Sequence, residues 1–167
     1  MTAEYSANAA QDLLTNGPVI FTNSPVLDTQ GLIFHRDESG IFRLASPSKI
    51  TGNYGGSWNW LYSRCNCCQS MPEALYEVGF HANIAIPTGG TVGEISMAIA
   101  IDGTVDPSST MVVTPAAVEE FFNVGAGIIV AVPAICGCES ISVINTSDQT
   151  ITVQNANLLI EFVGIRN

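Results

Sequence analysis

Val78-Gly79-Phe80-His81-Ala82-Asn83-Ile84-Ala85-Ile86 carries an apolar side chain at every second position, with small or polar residues at most of the positions between. The segment 94–101, Glu-Ile-Ser-Met-Ala-Ile-Ala-Ile, follows the same rhythm. A period of two is typical of a strand with one buried face. A row of such strands is typical of a β-sandwich or barrel. This stretch therefore predicts an all-β domain.

Similar short runs, separated by turn residues, continue on both sides of this stretch. On its N-terminal side we predict a first strand at 19–21, and a hairpin whose strands 31–34 and 41–44 flank the turn residues Asp37-Glu38-Ser39-Gly40. Residues 114–120 combine helix-start signals with a strand-like pattern, and we interpret them as a turn leading into a strand. The remaining strands are expected at 75–86, 93–102, 110–113, 127–132, 140–145, 150–154 and 157–165.

The length of 167 residues suits one domain with its own core. We predict an N-terminal arm at 1–16, with at most one loose helical turn, and a single domain over 17–167. An irregular insertion at about 45–73 is rich in glycine and interrupts the strands. Long loops in compact domains are usually functional or are ordered by a partner, so we expect this insertion to distinguish the chain.

The charge of the chain narrows the classes of partner. Only 12% of residues are charged, against 47% apolar, which indicates that another subunit covers part of the surface. The net charge is −10, and the 5 basic residues do not cluster, so we expect neither nucleic acid nor an anionic membrane as a partner. The start of the chain has no secretory signal pattern, so we expect a soluble protein made in the cytoplasm.

The last predicted strand, 157–165, is apolar on both faces. A strand buried on both faces of a two-sheet protein needs a cover from outside. We favour a neighbouring subunit as that cover over the N-terminal arm. The core face would carry Leu158, Ile160 and Phe162, and the predicted subunit interface would carry Leu159, Val163 and Ile165.

Five cysteines lie in two groups, Cys65-Asn66-Cys67-Cys68 and Cys136-Gly137-Cys138. A zinc site commonly has two residues between paired ligands, whereas here there is one or none. We therefore favour reduced thiols over disulfides, and disulfides over a metal site. The candidate metal ligands are Cys65, Cys67, Cys68, Cys136 and Cys138, and no cofactor is expected.

Four aromatic residues in the insertion form a candidate contact for a partner or a glycan: Tyr54, Trp58, Trp60 and Tyr62. In an extended segment Trp58 and Trp60 would point the same way. Aromatic rings beside amides can stack on sugars or anchor a protein, but packing in a small satellite core or a subunit seam is the more common role.

The sequence offers no catalytic set, and we do not expect an enzyme. His35 and His81 are the only histidines, and neither lies in a nucleophile motif such as Gly-x-Ser-x-Gly. We interpret both as ordinary surface or interface residues. Gly125-Ala126-Gly127 is too short for a phosphate loop. Asn145-Thr146-Ser147 matches a glycosylation sequon, which we interpret as a turn.

Several strings resemble a family of proteins from gut Firmicutes and their phages. They are Tyr-Ser-Ala-Asn-Ala-Ala-Gln at 5–11, Gly-Leu-Ile-Phe-His-Arg at 31–36, and further matches at 83–93, 98–103, 111–118 and 153–158. The family is similar to the trimeric jelly-roll heads of the tumour-necrosis-factor-like superfamily. Related heads cap exosporium collagen-like glycoproteins, and jelly-roll trimers recur in phage head fibres and decorations. The chain departs from these in lacking a Gly-X-Y stalk, and residues 50–71 lie outside the family pattern.

The resemblance implies a two-sheet antiparallel jelly-roll sandwich that forms a homotrimer. Our leading hypothesis is a non-enzymatic virion structural protein, a capsid decoration or head fibre bound to a major capsid or other shell protein. It would be made in the host cytoplasm and located on the virion surface. The alternatives are a spore- or cell-surface assembly protein, cross-linked through its cysteines, and a carbohydrate-binding module that uses Trp58 and Trp60.

Overall fold

The computed structural model describes residues 1–36, 39–46, 73–133 and 138–166. Within these ranges the chain forms strands, turns and one short 3-10 turn at Pro107–Ser109, and no α-helix, so the all-β prediction is confirmed. No helix there is long and apolar enough to cross a membrane. The strands are β1 (Thr2–Ala7), β2 (Gln11–Leu13), β3 (Asn23–Val26), β4 (Ile33–His35), β5 (Phe42–Ala45), β6 (Glu73–Ala85), β7 (Ile95–Ile101), β8 (Thr104–Val105), β9 (Met111–Val113), β10 (Phe122–Pro133), β11 (Cys138–Asn145) and β12 (Ile151–Arg166).

The strands form two antiparallel sheets. The first sheet has the order β10-β6-β12-β1-β3, and β2 pairs with the start of β12. The second sheet has the order β4-β5-β11-β7-β8, and β9 pairs with the other end of β7. Successive long strands alternate between the sheets, since β6, β10 and β12 lie in the first, and β5, β7 and β11 in the second. This alternation is the jelly-roll arrangement that the resemblance implied.

The core lies between the sheets and is filled by the alternating residues that predicted it. Val78, Phe80, Ala82 and Ile84 of β6 are all buried, and the residues between them face outward. Each fully buried aliphatic or aromatic side chain of this kind stabilises the fold by ~1.5–3 kcal/mol. The largest fully buried side chains include Tyr5, Phe21, Phe42, Tyr76, Met97 and Ile141.

The predicted arm at 1–16 requires a correction, because this segment belongs to the first sheet. β1 pairs along its whole length with β12, from Thr2 opposite Glu161 to Ala7 opposite Ala156. Its small and polar composition suggested an arm, yet Ala3, Tyr5 and Ala7 alternate and are buried. Burial of one face of six residues, together with a full ladder of backbone hydrogen bonds, makes this segment a strand.

Other predicted boundaries changed in detail. The two predicted strands at 150–154 and 157–165 are one strand, β12, with a register shift between Gln154 and Asn157. Residues 19–21 are not a strand of either sheet, although Val19 and Phe21 are buried in the core. Residues 114–120 form the expected turn before β10. Most of the predicted insertion, 47–72, lies outside the described residues.

Candidate subunit interface on the outer face of the first sheet

The outer face of the first sheet contains a strip without side chains, formed by Gly79, Gly125 and Gly127 and called here the glycine strip. Gly79 of β6 lies opposite Gly127 of β10 on one side and Leu159 of β12 on the other. Gly125 lies opposite His81 in the neighbouring row. A Cβ atom added at Gly79 would meet no other atom within 4 Å. A Cβ at Gly127 would meet only the carbonyl oxygen of Val78 at 3.7 Å, and one at Gly125 would meet that of Phe80 at 3.2 Å, so the strip is most open at Gly79.

Two large apolar side chains border the glycine strip. Leu159 is 41% exposed and Ile129 is 57% exposed. Ile129 pairs with Glu77, so it shares the outer face with the glycines, one row along β10. Full burial of such a side chain is worth ~1.5–3 kcal/mol. Since both side chains are already about half buried, a surface that covered the strip would gain roughly half of this contribution from each.

Carboxylates lie in the next row of the same face and beside Leu159 on β1. Glu77 and Glu161 are directly opposite each other on β6 and β12, and like charges in this position repel. Glu4 of β1 lies opposite Leu159, and its Oε1 accepts a hydrogen bond from Nδ2 of Asn157 at 2.7 Å. The strip thus has an apolar border and an acidic rim, which resembles the apolar centre and polar rim of protein interfaces.

The three residues predicted for a subunit interface are exposed, but they do not share a face. Exposure is 41% for Leu159, 57% for Val163 and 59% for Ile165. A register shift between Phe162 and Gly164 places Ile165 opposite Ala74. Ala74 is buried and faces the core, so Ile165 is on the core side of the sheet as well. Leu159 therefore lies on the outer face and Ile165 on the inner side at the end of the sheet. Their role in an interface stays a prediction.

Most candidate residues of the insertion and the cysteine groups lie outside the described residues: Tyr54, Trp58, Trp60, Tyr62, Cys65, Cys67, Cys68 and Cys136. Cys138 is exposed at the start of β11, opposite Ala45 of β5. Across the described ranges, no three His, Cys, Asp or Glu side chains are grouped so that they could hold a metal ion. The predictions for the thiols and for the aromatic contact stay open.

The two histidines occupy different environments. His81 is exposed beside the glycine strip, as expected of a surface or interface residue. His35 is half-buried, and its ring stacks on Phe42 at a centroid distance of 4.4 Å and an angle of 13°. Its Nε2 also lies 2.8 Å from the carbonyl oxygen of Ser39. His35 is therefore an anchor of the β4–β5 hairpin rather than an ordinary surface residue.

Asp102, at the turn after β7, and Glu139 of β11 form a carboxyl pair that the sequence did not predict. A hydrogen bond with Asp102, together with burial and the charge of Asp102, raises the pKa of Glu139 to about 7. The same hydrogen bond, and those donated by the backbone and hydroxyl of Ser140, lower the pKa of Asp102. The two residues are 37 positions apart in sequence, so only the register of β7 and β11 brings them together.

The sequon at 145–147 begins at the last residue of β11 and continues into the turn that we expected there. Asn145 is fully buried, and its Nδ2 donates hydrogen bonds to the carbonyl oxygens of Leu13 at 3.0 Å and Gln149 at 2.8 Å. Its Oδ1 accepts from the backbone nitrogen of Ser147 at 2.8 Å. An amide used in this way is not accessible for glycosylation in the folded chain.

Comparison with known proteins establishes the fold and no family. No protein-family model matches the chain, and no curated protein matches it significantly. Among solved structures it is similar over its full length to Eiger TNF from S. frugiperda, with a TM-score of 0.59, 8% identity and 95% of that chain covered. The chain thus has a jelly-roll sandwich fold that is similar to the fold of Eiger TNF.

Two family 35 carbohydrate-binding modules also align with the chain. The module from Clostridium thermocellum has a TM-score of 0.35 and 13% identity, with 95% of this chain and 97% of the module covered. The module of Abf62 from Cellvibrio japonicus has a TM-score of 0.36 and 11% identity, with 99% and 96% covered. Similarity at this level says nothing about sugar binding.

Proposed function

We propose that this chain is a non-enzymatic structural protein that assembles as a homotrimer through the outer face of its first sheet. The observation that carries the proposal is the open glycine strip bordered by Leu159 and Ile129. A strip without side chains lets a neighbouring chain approach the sheet closely, and the two apolar side chains lose their contact with water when it does.

The low content of charged residues also bears on assembly. Only 12% of residues are charged, so much of the surface is uncharged and open to contact, while the net charge of −10 works against association and has to be outweighed by apolar burial. A trimer, rather than a dimer, follows from the resemblance to trimeric jelly-roll heads. Glu77 lies directly opposite Ile129, so an interface that covers Ile129 passes beside Glu77 and Glu161, whose carboxylates must keep their contact with solvent because burying them unpaired is costly.

We place this trimer on the surface of a phage particle, as a capsid decoration or head fibre that docks on a major capsid or other shell protein. The support is the resemblance of residues 83–93 and 111–118 to proteins of gut Firmicutes and their phages. Mass spectrometry of particles purified from the source bacterium tests the location. The chain should co-purify with the capsid protein at constant stoichiometry, and its absence from intact particles would contradict the location.

Two alternatives give different results in simple tests. A sporulation gene beside this gene, in place of a capsid or portal gene, would favour a spore- or cell-surface assembly protein. Disulfide-linked multimers on a non-reducing gel would favour the same alternative. A carbohydrate-binding module would bind a glycan array and lose that binding in W58A and W60A.

The interface is tested by charge insertion at matched positions. L159R places a cation beside the glycine strip, whereas V112R places one on β9 of the second sheet, where Val112 is 50% exposed. Light scattering should give a monomer for L159R and an unchanged trimer for V112R, with identical circular dichroism spectra. A trimer that persists in L159R would reject this face as the interface.

A further inference from the structure

The free edges of the two sheets differ greatly in length. Among the described strands, β3, β4, β8 and β9 are each bonded to a single neighbour, and they have only two to four residues. β3 also contains Pro25, which has no backbone N–H group to donate. β10, which is bonded only to β6, has 12 residues. Short strands and proline protect a sheet edge from pairing with other chains, so β10 is the long free edge in the described part of the molecule.

β10 also lacks the other devices that protect an edge. Its sequence, Phe122–Pro133, contains no charged residue, and its one proline is at the last position. Its register with β6 is unbroken from end to end, so no bulge turns the edge away. On its other side, no residue of the described ranges forms a backbone hydrogen bond with it. At ~3.4 Å per residue, this strand leaves ~40 Å of edge, called here the β10 edge, for another chain.

The middle of the β10 edge is narrow. Gly125 and Gly127 have no side chain on the outer face, and Ala126 between them has a single methyl group on the core side. An added Cβ at Gly127 would meet only one atom within 4 Å, the carbonyl oxygen of Val78 at 3.7 Å. A segment without bulky side chains can approach another backbone closely. The narrow segment is followed by Ile129, which is 57% exposed and adds apolar surface to the edge.

A ring of three copies needs two different patches on each copy, because each copy contacts one neighbour on either side. The proposed function supplies only one of them, the glycine strip with Leu159 on its border. The second patch must be narrow enough to reach a strip without side chains. It must also carry no carboxylate, since Glu77 and Glu161 lie beside the strip and like charges repel. The β10 edge meets both conditions.

We propose that the β10 edge of one copy packs into the glycine strip of the next copy, and that three such contacts close the trimer. This inference rests on the proposed function and names the surface that covers the strip. The contact joins two segments without bulky side chains, residues 125–127 of the edge and Gly79 of the strip. It also buries apolar surface of Ile129 and Leu159, which are 57% and 41% exposed in the single chain.

A mixture of two variants tests the assignment, since each variant disables a different patch. L159R places a cation at the glycine strip and leaves the β10 edge unchanged. A126E places a carboxylate in the narrow segment of the edge. Ala126 lies opposite Phe80 on the core side of β10, away from the strip. Each variant alone should have the mass of one chain in sedimentation velocity experiments.

The mixture of equal amounts should contain a species with the mass of two chains. The intact edge of L159R can still pack into the intact strip of A126E, whereas neither variant can close a ring. The mixture is measured over a series of rising concentrations, because a pair has one contact where the trimer has three. T104E is the matched control, since it adds the same charge at the exposed Thr104 on the short edge strand β8, and it should stay trimeric.

The outcomes separate this inference from the proposed function. A trimeric L159R rejects the face, and with it both proposals. A monomeric L159R beside a trimeric A126E keeps the face but overturns the β10 edge as its cover. A mixture without the two-chain species, or a monomeric T104E, overturns the edge in the same way. Circular dichroism shows whether A126E is folded, and A131E replaces it if it is not, because Ala131 lies on the same edge two rows beyond Gly127.

Discussion

Replacing Asn145 by alanine removes a buried anchor that joins three segments of the chain. Its side chain makes three hydrogen bonds, to Leu13, Gln149 and Ser147, at 2.8–3.0 Å. At ~1 kcal/mol for each bond the direct loss is ~3 kcal/mol, and the backbone groups left unsatisfied raise it further. We expect N145A to lower the free energy of unfolding by ~3–5 kcal/mol, a large part of the 5–15 kcal/mol typical of a domain.

Urea denaturation at one fixed protein concentration measures this change, since the stability of an oligomer depends on concentration. N123A is the control, because Asn123 is exposed and its Nδ2 donates only long hydrogen bonds, to Oδ1 of Asn83 at 3.2 Å and to the carbonyl oxygen of Ala82 at 3.4 Å. We expect N123A to change stability by less than ~1 kcal/mol. If N145A and N123A shifted the midpoint equally, the anchor role of Asn145 would be refuted.

Further predictions concern assembly, pH and the core. G79L should fold normally but be monomeric by light scattering, because the new side chain fills the glycine strip. G93L is the control, since an added Cβ there also meets nothing within 4 Å, and it should stay trimeric. A trimeric G79L would contradict the proposed interface. The pKa of Glu139 is raised from its ordinary value of 4.5 to about 7 in the folded chain, so the folded chain binds this proton more tightly than the unfolded chain does. The free energy of unfolding should therefore fall slightly as pH rises from 5 to 7. E139Q should abolish this slope, which we expect to be below ~1 kcal/mol because the pair is largely solvated, and an unchanged slope in urea titrations would reject the pair. Y76F removes a buried hydroxyl that donates to the carbonyl of Ala45 and should cost ~1–2 kcal/mol, and an unchanged urea midpoint would count against this bond.

The period-two pattern was sufficient to predict the central strands, because apolar residues of β6 face the core and the residues between them face outward. It could not predict β1, whose buried face is built from Ala3, Tyr5 and Ala7. Two of these side chains are small, so the pattern gives a weak hydrophobic signal. Only pairing with β12 makes this segment part of the fold.

Which face each side chain occupies at the end of β12 depends on a register shift that the sequence pattern does not predict. Simple alternation puts Leu159, Val163 and Ile165 together, whereas the shift before Gly164 moves Ile165 to the other side. The other shift in this strand accompanies Asn155, whose φ is 53°, a conformation that Asn adopts more readily than most residues. Such irregularities are set by pairing with two neighbours at once.

The glycine strip was equally hidden in the sequence. Gly79 and Gly127 are 48 positions apart and become neighbours only through the pairing of β6 with β10. The Gly125-Ala126-Gly127 segment could be dismissed as a phosphate loop, but its role on a sheet face requires the register. The sequence-based expectation of a covered surface came instead from the low charge and the last strand.

The central claim is that copies of this chain assemble through a face that the single chain leaves open. Sedimentation equilibrium of the unmodified protein at micromolar concentration tests it most directly. We predict one species with the mass of three copies of the 17.6-kDa chain. A single species with the mass of one chain under the same conditions would contradict the account.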